Sequence, residues 1–347
     1  MLNAARSETR YESLDDVAIT LTSSERAGVR RECARISATA AGRSLDSPAL
    51  LFAAELLGGK LPESLLRVLS RFRIQGNGHG GLLIRNLPLD AEIPATPTAE
   101  DLAPDWHSLP ASTLLQLAIC SRLGDVISYA DEKSGRLVQD IVPMKSAAQS
   151  QENSGTVHLD LHTEDGFHPY KPDLVTLLCL RPDHDRVAST LLGSIGPVVA
   201  ALPADLRAAL HEPWFRIRVS SSFRKHGSTG WSPWLPVARS DGSEFVLDFH
   251  AMEPRNEIAR QALAEMERLQ ADSLSGAVLE AGDLLVIDNR TAVHGRTLFK
   301  ARYNGTDRWL RRCLAVTDLR RSRTARFEGS RVCRPLSELT RAVLASR

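Results

Sequence analysis

A mainly β, α+β fold is what this 347-residue chain predicts: a double-stranded β-helix (jelly roll) flanked by N-terminal helices. Three observations carry the prediction. Helical periodicity fills the first third of the chain, short strand-like runs dominate from about residue 125, and histidines and a carboxylate on those runs form a set that strands would enclose.

Residues 1–20 are polar and are expected to be disordered. Residues 21–347 read as one domain, helical over about 21–124 and jelly-roll over about 125–325. Apolar residues at helical spacing place helices at 24–41, 48–57, 62–72 and 111–123, with Pro62 suited to a first turn. Between the last two, Gly80-Gly-Leu-Leu-Ile-Arg-Asn-Leu87 reads as a buried strand, and the proline- and acid-rich stretch 88–104 as an exposed excursion. Further strands fall at 174–180, 188–192, 214–220, 245–249, 277–279, 284–288 and 309–317, interrupted by helices at 204–210 and 255–269. Two segments have the composition of lids: 144–155, rich in Ser, Gln and Asn, and 220–236, with Gly227, Gly230, Trp231 and Trp234. The commoner fate of the tryptophans is packing on the core.

Charge excludes some partners. With 43 basic and 42 acidic residues the chain shows no footprint for nucleic acid or a membrane surface, and the basic run 320–326 reads as solvated. Five cysteines without a C-x-x-C pair speak for a reducing compartment. The N-terminal residues lack the apolar core of a signal peptide and no run of 18 apolar residues occurs, so a cytoplasmic protein is expected. The oligomeric state is not legible.

The chemistry-bearing feature is His162-Thr163-Glu164. On an extended segment, residues two apart point to the same side. His294, closing the run from Gly282 through a turn at Asp288-Asn289-Arg290, would add a second imidazole. Two histidines and one carboxylate leave three positions open on an octahedral ion, the pattern of non-haem Fe(II) oxygenases. Arg308 and Arg312 are four apart on the next strand and face one side, as two carboxylates to be held would require, whereas Arg311 faces the other way and reads as a solvated charge. His158 lies in a strand-like alternation rather than a helical zinc pair, and His168 either lines a pocket mouth or caps a turn. Gly76-Asn-Gly-His-Gly-Gly81 lacks the Lys-Ser/Thr ending of a phosphate loop and reads as a flexible turn.

The blocks Gln139-Asp-Ile-Val-Pro143, His162-Thr-Glu-Asp-Gly-Phe167, Lys171-Pro-Asp-Leu-Val-Thr-Leu-Leu-Cys-Leu-Arg181, Gly282-Asp-Leu-Leu-Val-Ile-Asp-Asn-Arg290 and Asp307-Arg-Trp-Leu-Arg-Arg312 together resemble the clavaminate synthase-like Fe(II)/2-oxoglutarate oxygenases, over about residues 50–325. The resemblance implies that His162, Glu164 and His294 bind iron, with Glu164 the catalytic carboxylate. It implies that Arg308, supported by Thr190, clamps the distal carboxylate of 2-oxoglutarate, and that Arg312 and Gln139 hold an amino-acid substrate. The cosubstrates would be 2-oxoglutarate and O2, the products succinate, CO2 and a hydroxylated amino acid, with the β-carbon attacked in a natural-product setting. Halogenation would need a small residue in place of Glu164. Relatives acting on basic amino acids carry an Asp-x-Asp pair where this chain has Asp248 and His250, so a neutral, hydrogen-bonding or cyclic amino acid is as well supported as a basic one. Two alternatives stay open: oxidation, desaturation or cyclisation of a larger intermediate such as a cyclic dipeptide or lactam, and a non-catalytic jelly-roll protein that binds a metal or ligand.

Overall fold

The computed structural model describes residues 11–40, 44–45, 47–98, 109–152, 155–226 and 230–339. Two short strands, β1 (Glu12–Ser13) and β2 (Ala18–Thr20), precede the helices α1 (Ser23–Ala40), α2 (Pro48–Gly58) and α3 (Glu63–Gln75). Helix α1 starts at a reciprocal cap, in which Glu25 N–H donates to Thr22 Oγ1 (3.2 Å) and Thr22 N–H to Glu25 Oε2 (2.8 Å). Pro62 caps α3 rather than entering it, and α3 runs on to Gln75 before Gly76 turns at φ 60°. Strand β3 (Gly81–Arg85) and helix α4 (Pro110–Leu123) follow.

The remaining strands are β4 (Asp125–Tyr129), β5 (Gln139–Ile141), β6 (Leu159–His162), β7 (Leu174–Arg181), β8 (Ser189–Ser194), β9 (Phe215–Ile217), β10 (Met252–Pro254), β11 (Ser275–Val278), β12 (Leu284–Asp288), β13 (Ala292–Arg296), β14 (Trp309–Val316) and β15 (Val332–Cys333). Helices α5 (Ile195–Ala201), α6 (Ala204–Ala209) and α7 (Glu257–Ala271) interrupt them. An eight-stranded sheet runs β15-β4-β14-β7-β12-β3-β2 with β5 beside β14, and a five-stranded sheet runs β1-β11-β8-β13-β6.

The unbroken apolar runs of β7, β12 and β14 reflect burial on both faces. Val175, Leu177, Leu285, Ile287, Leu310 and Leu314 join Leu191, Leu192 and Val293 in a core between the sheets. Their alternates Leu174, Leu178, Leu284, Val286, Trp309 and Cys313 join Leu115 and Ile119 of α4 in a second core under the helices. The same alternation sorts the arginines of β14. Arg311 is 2% exposed, ion-paired with Asp140 at 3.1 Å and bonded to Thr113 of α4. It is therefore not the solvated charge expected from sequence: α4 covers that face.

Other expectations change as well. The polar start, expected to be disordered to about residue 20, is ordered from Tyr11 onward because Leu14 is fully buried and β1 and β2 each pair parallel with a strand of a sheet; residues 1–10 lie outside the described residues. The strand expected at 245–249 is reduced to isolated bridges at Phe245 and Asp248. There the Thr163 hydroxyl accepts the Leu247 N–H at 3.1 Å and donates to the Leu247 carbonyl at 3.2 Å, beside the backbone bonds from Thr163 N–H to the same carbonyl at 2.7 Å and from Phe249 N–H to the Leu161 carbonyl at 3.1 Å. Strand β9 is shorter than 214–220, and α7 begins at Glu257 because the Asn256 side chain accepts the Ala259 N–H. In the stretch 88–98 Thr96 is buried and donates to the Asp307 carbonyl at 2.7 Å, while residues 99–108 lie outside the described residues. Gly76–Gly81 is a turn in which Asn77 Oδ1 accepts the N–H groups of His79 and Gly80. Trp231 and Trp234 clasp the Arg216 guanidinium, at 4.4 and 4.9 Å from its carbon. All five cysteines are buried and unpaired, and no described helix is long and apolar enough to cross a membrane.

Removing Arg311 would leave Asp140 buried without its cation. Arg311→Ala is expected to lower the urea-unfolding free energy by about 3–5 kcal/mol, whereas truncating an exposed arginine would change it by less than about 0.5 kcal/mol.

Candidate active site

β13 lies antiparallel to β6 with His294 opposite His162, and the two imidazole centroids are 4.5 Å apart. Past His162 the chain leaves the strand, and Asp165 takes a left-handed conformation at φ 50°. That turn brings Glu164 back, so that one donor atom from each of His162, Glu164 and His294 lies within 4.8 Å of the others. His162 Nδ1 is 2.8 Å from the Asp160 carbonyl, which places the proton on Nδ1 and leaves Nε2 for a metal. His294 Nε2 is 3.6 Å from Glu164 Oε2, and His294 Nδ1 is buried without a hydrogen-bond partner. Two imidazole nitrogens and a carboxylate facing one point fit a divalent ion of the Fe(II) type with open positions.

Glu164 is held from both sides. Its N–H donates to Asn289 Oδ1 at 2.6 Å, and Asn289 Nδ2 donates to the Glu164 carbonyl at 3.0 Å and to the Pro172 carbonyl at 2.8 Å. Lys171 Nζ reaches the Asn289 carbonyl at 3.2 Å and Glu244 at 3.1 Å. Burial alone would raise the Glu164 carboxyl, but Arg312, His294 and His162 override it and hold the group well below the usual carboxylate range. Burial first, and then His162, pulls the His294 imidazole below its ordinary value. Asp165 is driven well above the usual carboxylate range, first by burial and then by Glu132 and Glu164.

Arg312 is fully buried: its Nη1 lies 2.9 Å from Glu164 Oε1, its Nη2 2.6 Å from Glu132 Oε1, and its Nε donates to Gln139 Oε1 at 3.0 Å. Arg308, 6% exposed, donates to Thr190 Oγ1 at 3.4 Å; among the described residues it has no carboxylate in ion-pair reach. Burial pulls its guanidinium below its ordinary value, and it pulls Arg296 down to about 9, with Arg308 as the second cause.

An open cavity of about 570 Å³ runs from the metal face to solvent. Asp248 forms a bridge with His162, and its Oδ1 accepts the N–H groups of His250 (3.0 Å) and Ala251 (2.7 Å). Burial raises its carboxyl. His250 is half exposed, with Nδ1 3.6 Å from Asp160 Oδ2. At the mouth, Ser221 donates from N–H (3.2 Å) and Oγ (2.9 Å) to Glu152, joining parts of the two segments read as lids.

The sequence profile described as "Taurine catabolism dioxygenase TauD, TfdA family" matches residues 43–314. The chain belongs to this family. It is 37% identical over 327 residues to an L-asparagine oxygenase from Streptomyces coelicolor, covering 93% of this chain and 95% of that protein. It is 35% identical over 341 residues to an L-lysine 3-hydroxylase from Catenulispora acidiphila, covering 94% and 92%. A crystal structure of asparagine oxygenase in complex with Fe(II), 2S,3S-3-hydroxyasparagine and succinate superposes with a TM-score of 0.86 at 33% identity, covering 92% of this chain and 99% of that one. These relatives place it among the clavaminate synthase-like members of the TauD/TfdA dioxygenases.

In this TauD/TfdA chain the residues singled out from sequence converge: the three metal-type donors meet, Arg308 meets Thr190, Arg312 meets Gln139, and Asp248 and His250 line the cavity. Four participants escaped sequence reasoning: Glu132, Asp160, Asn289 as a clamp, and Arg296. Asp160 was within reach, since strand alternation puts it on the side of His162. His168 is a buried turn residue whose Nδ1 accepts the Tyr170 N–H at 3.0 Å, while its Nε2 is buried without a hydrogen-bond partner among the described residues.

Asn289→Ala is expected to weaken Fe(II) binding about 10–100-fold, read by anaerobic metal titration, with the fold retained by circular dichroism. Burial takes His168 down to about 3 from an ordinary 6.5. The unfolded chain therefore takes up a proton there first, and the stability His168 contributes is present above about pH 6.5 and lost as pH falls toward 3. Between pH 6.5 and 5, wild type should lose about 2 kcal/mol more in urea unfolding than His168→Gln.

Proposed function

We propose that this chain is an Fe(II)- and 2-oxoglutarate-dependent oxygenase that hydroxylates an unactivated carbon, the β-carbon, of a free amino acid or a close derivative. The observation that carries the reading is the His162, Glu164, His294 face on an acid-walled cavity, together with a buried guanidinium, Arg308, that has no ion-pair partner among the described residues. The two sheets are the walls of a jelly roll, and residues 21–347 act as one domain. Unpaired buried cysteines suit a reducing, cytoplasmic setting.

His162, Glu164 and His294 would hold Fe(II), and Arg308 with Thr190 would hold the distal carboxylate of 2-oxoglutarate. Bound together, iron and 2-oxoglutarate supply the oxidising power: one atom of O2 enters succinate as CO2 leaves, and the other replaces a C–H hydrogen as hydroxyl. The chain's own work is orientation and exclusion of water. Glu132 lines the cavity and is ion-paired with Arg312, which lies fully buried behind it with Gln139 beside it; the pair is complementary to the ammonium and carboxylate of an amino acid. Asp248 keeps one oxygen for a side-chain N–H, while His250 and Asp160 flank it. That wall favours a polar, hydrogen-bonding side chain. The β-carbon follows from the relatives, a lysine 3-hydroxylase and an asparagine oxygenase solved with a 3-hydroxylated amino acid.

The test incubates Fe(II)-loaded protein with 2-oxoglutarate, O2 and a panel of free amino acids, derivatives and cyclic dipeptides. One oxygen gained by a free amino acid, matched to succinate, is the expected result. Arg312→Ala should then lose at least about 100-fold in kcat/KM, because it removes the cation that pairs with Glu132 and keeps Glu164 ionised. His294→Ala retaining both iron binding and 2-oxoglutarate turnover would falsify the oxygenase reading.

A further inference from the structure

Taking the 2-oxoglutarate site proposed above as given, we infer that Arg296 is its second cationic residue, shares the distal carboxylate with Arg308, and ties the site to the chain at the cavity mouth. Arg296 stands directly across from Thr190 in the β13–β8 ladder, and Thr190 is the residue whose hydroxyl Arg308 contacts. Both guanidinium carbons lie over the Phe299 ring, at 4.8 Å for Arg296 and 6.0 Å for Arg308. Arg296 is 5% exposed, and its Nε is buried with no partner. Among the described residues neither arginine has a carboxylate in ion-pair reach. Two neighbouring buried cations whose one nearby acid, Asp183, acts on Arg308 only from beyond ion-pair distance are disfavoured, so the site calls for a closer anion. A carboxylate accepts at about four lone-pair sites, enough for two guanidinium groups.

A purely structural brace would need only the bonds that Arg296 Nη2 donates to the carbonyls of Gly155 (2.8 Å) and Val157 (2.9 Å). A neutral amide could make those without placing a second charge beside Arg308. The same two bonds give the cation its reach to the mouth. Gly155 N–H donates to the Glu152 carbonyl, and the Glu152 carboxylate accepts from Ser221 across the cavity opening. An anion that fixes Arg296 therefore also fixes the chain at 155–157, and by reciprocity a closed mouth tightens the anion.

The experiment measures binding of 2-oxoglutarate and of 2-oxoglutaramate, whose distal group is a neutral carboxamide, to anaerobic Fe(II)-loaded wild type, Arg296→Lys and Arg296→Gln by calorimetry. Arg296→Gln should weaken 2-oxoglutarate by at least about tenfold, Arg296→Lys by less, and the penalty for the amide should shrink in Arg296→Gln. Equal 2-oxoglutarate affinity in wild type and Arg296→Gln, or an unchanged amide penalty, overturns the inference. Should Arg296→Gln not fold, hydrogen exchange on wild type decides. 2-Oxoglutarate should slow exchange at residues 155–157, and unchanged exchange there overturns the coupling. A wild type that binds no 2-oxoglutarate would instead sink the oxygenase reading on which the inference rests.

Discussion

Arg312 sets the charge balance that keeps a buried carboxylate ionised inside this fold. Glu164 and Glu132 are both buried, and a buried carboxylate without a cation takes up a proton. The Arg312 guanidinium lies between them, 2.9 Å from one and 2.6 Å from the other, and keeps Glu164 ionised. Asp165, next in sequence but not ion-paired with Arg312, is raised well above the usual carboxylate range instead. The burial that threatens Glu164 also pulls the His294 imidazole below its ordinary value. Burial alone would raise the Glu164 carboxyl; burial with the Arg312 guanidinium and the facing imidazoles holds it well below its usual range.

That guanidinium is positioned by a sheet buried on both faces. Along β14, Leu310, Arg312 and Leu314 point between the sheets while Trp309, Arg311 and Cys313 point toward α4. A one-residue slip would exchange the two arginines and remove the partner of Glu164. The pairing of β13 with β6 and β8 fixes the opposite wall, setting His294 against His162 and Arg296 against Thr190. Asn289 then closes the turn after β12 onto the backbone of Glu164, so one hairpin supplies His294 and clamps the carboxylate it works with.

How much of this was legible in the sequence follows from how local each signal is. Helices α1 to α4 declared themselves by spacing and caps, and the buried strands β7, β12 and β14 by unbroken apolar runs. The pair His162 and Glu164 was visible as a short-range pattern, and His294 and Arg308 by their order along the chain. What stayed hidden depends on contacts between distant segments. Leu14 fixes the polar start by burying into a core built from residues far along the chain, and the Thr163 hydroxyl takes the Leu247 N–H that a neighbouring strand would have taken. Arg311 looks like any exposed arginine until α4 covers it. Glu132 and Arg296 carry no motif of their own and gain meaning only through β14 and β8, where Glu132 meets Arg312 and Arg296 faces Thr190.

Anaerobic titration of the metal-free protein with Fe(II) and then 2-oxoglutarate, followed by calorimetry and visible absorption, tests whether these residues form one site for both. One Fe(II) and one 2-oxoglutarate per chain are expected, with a visible charge-transfer absorption that develops only when both are present. Saturation at another stoichiometry, or 2-oxoglutarate binding that is indifferent to the metal, would contradict a single shared site.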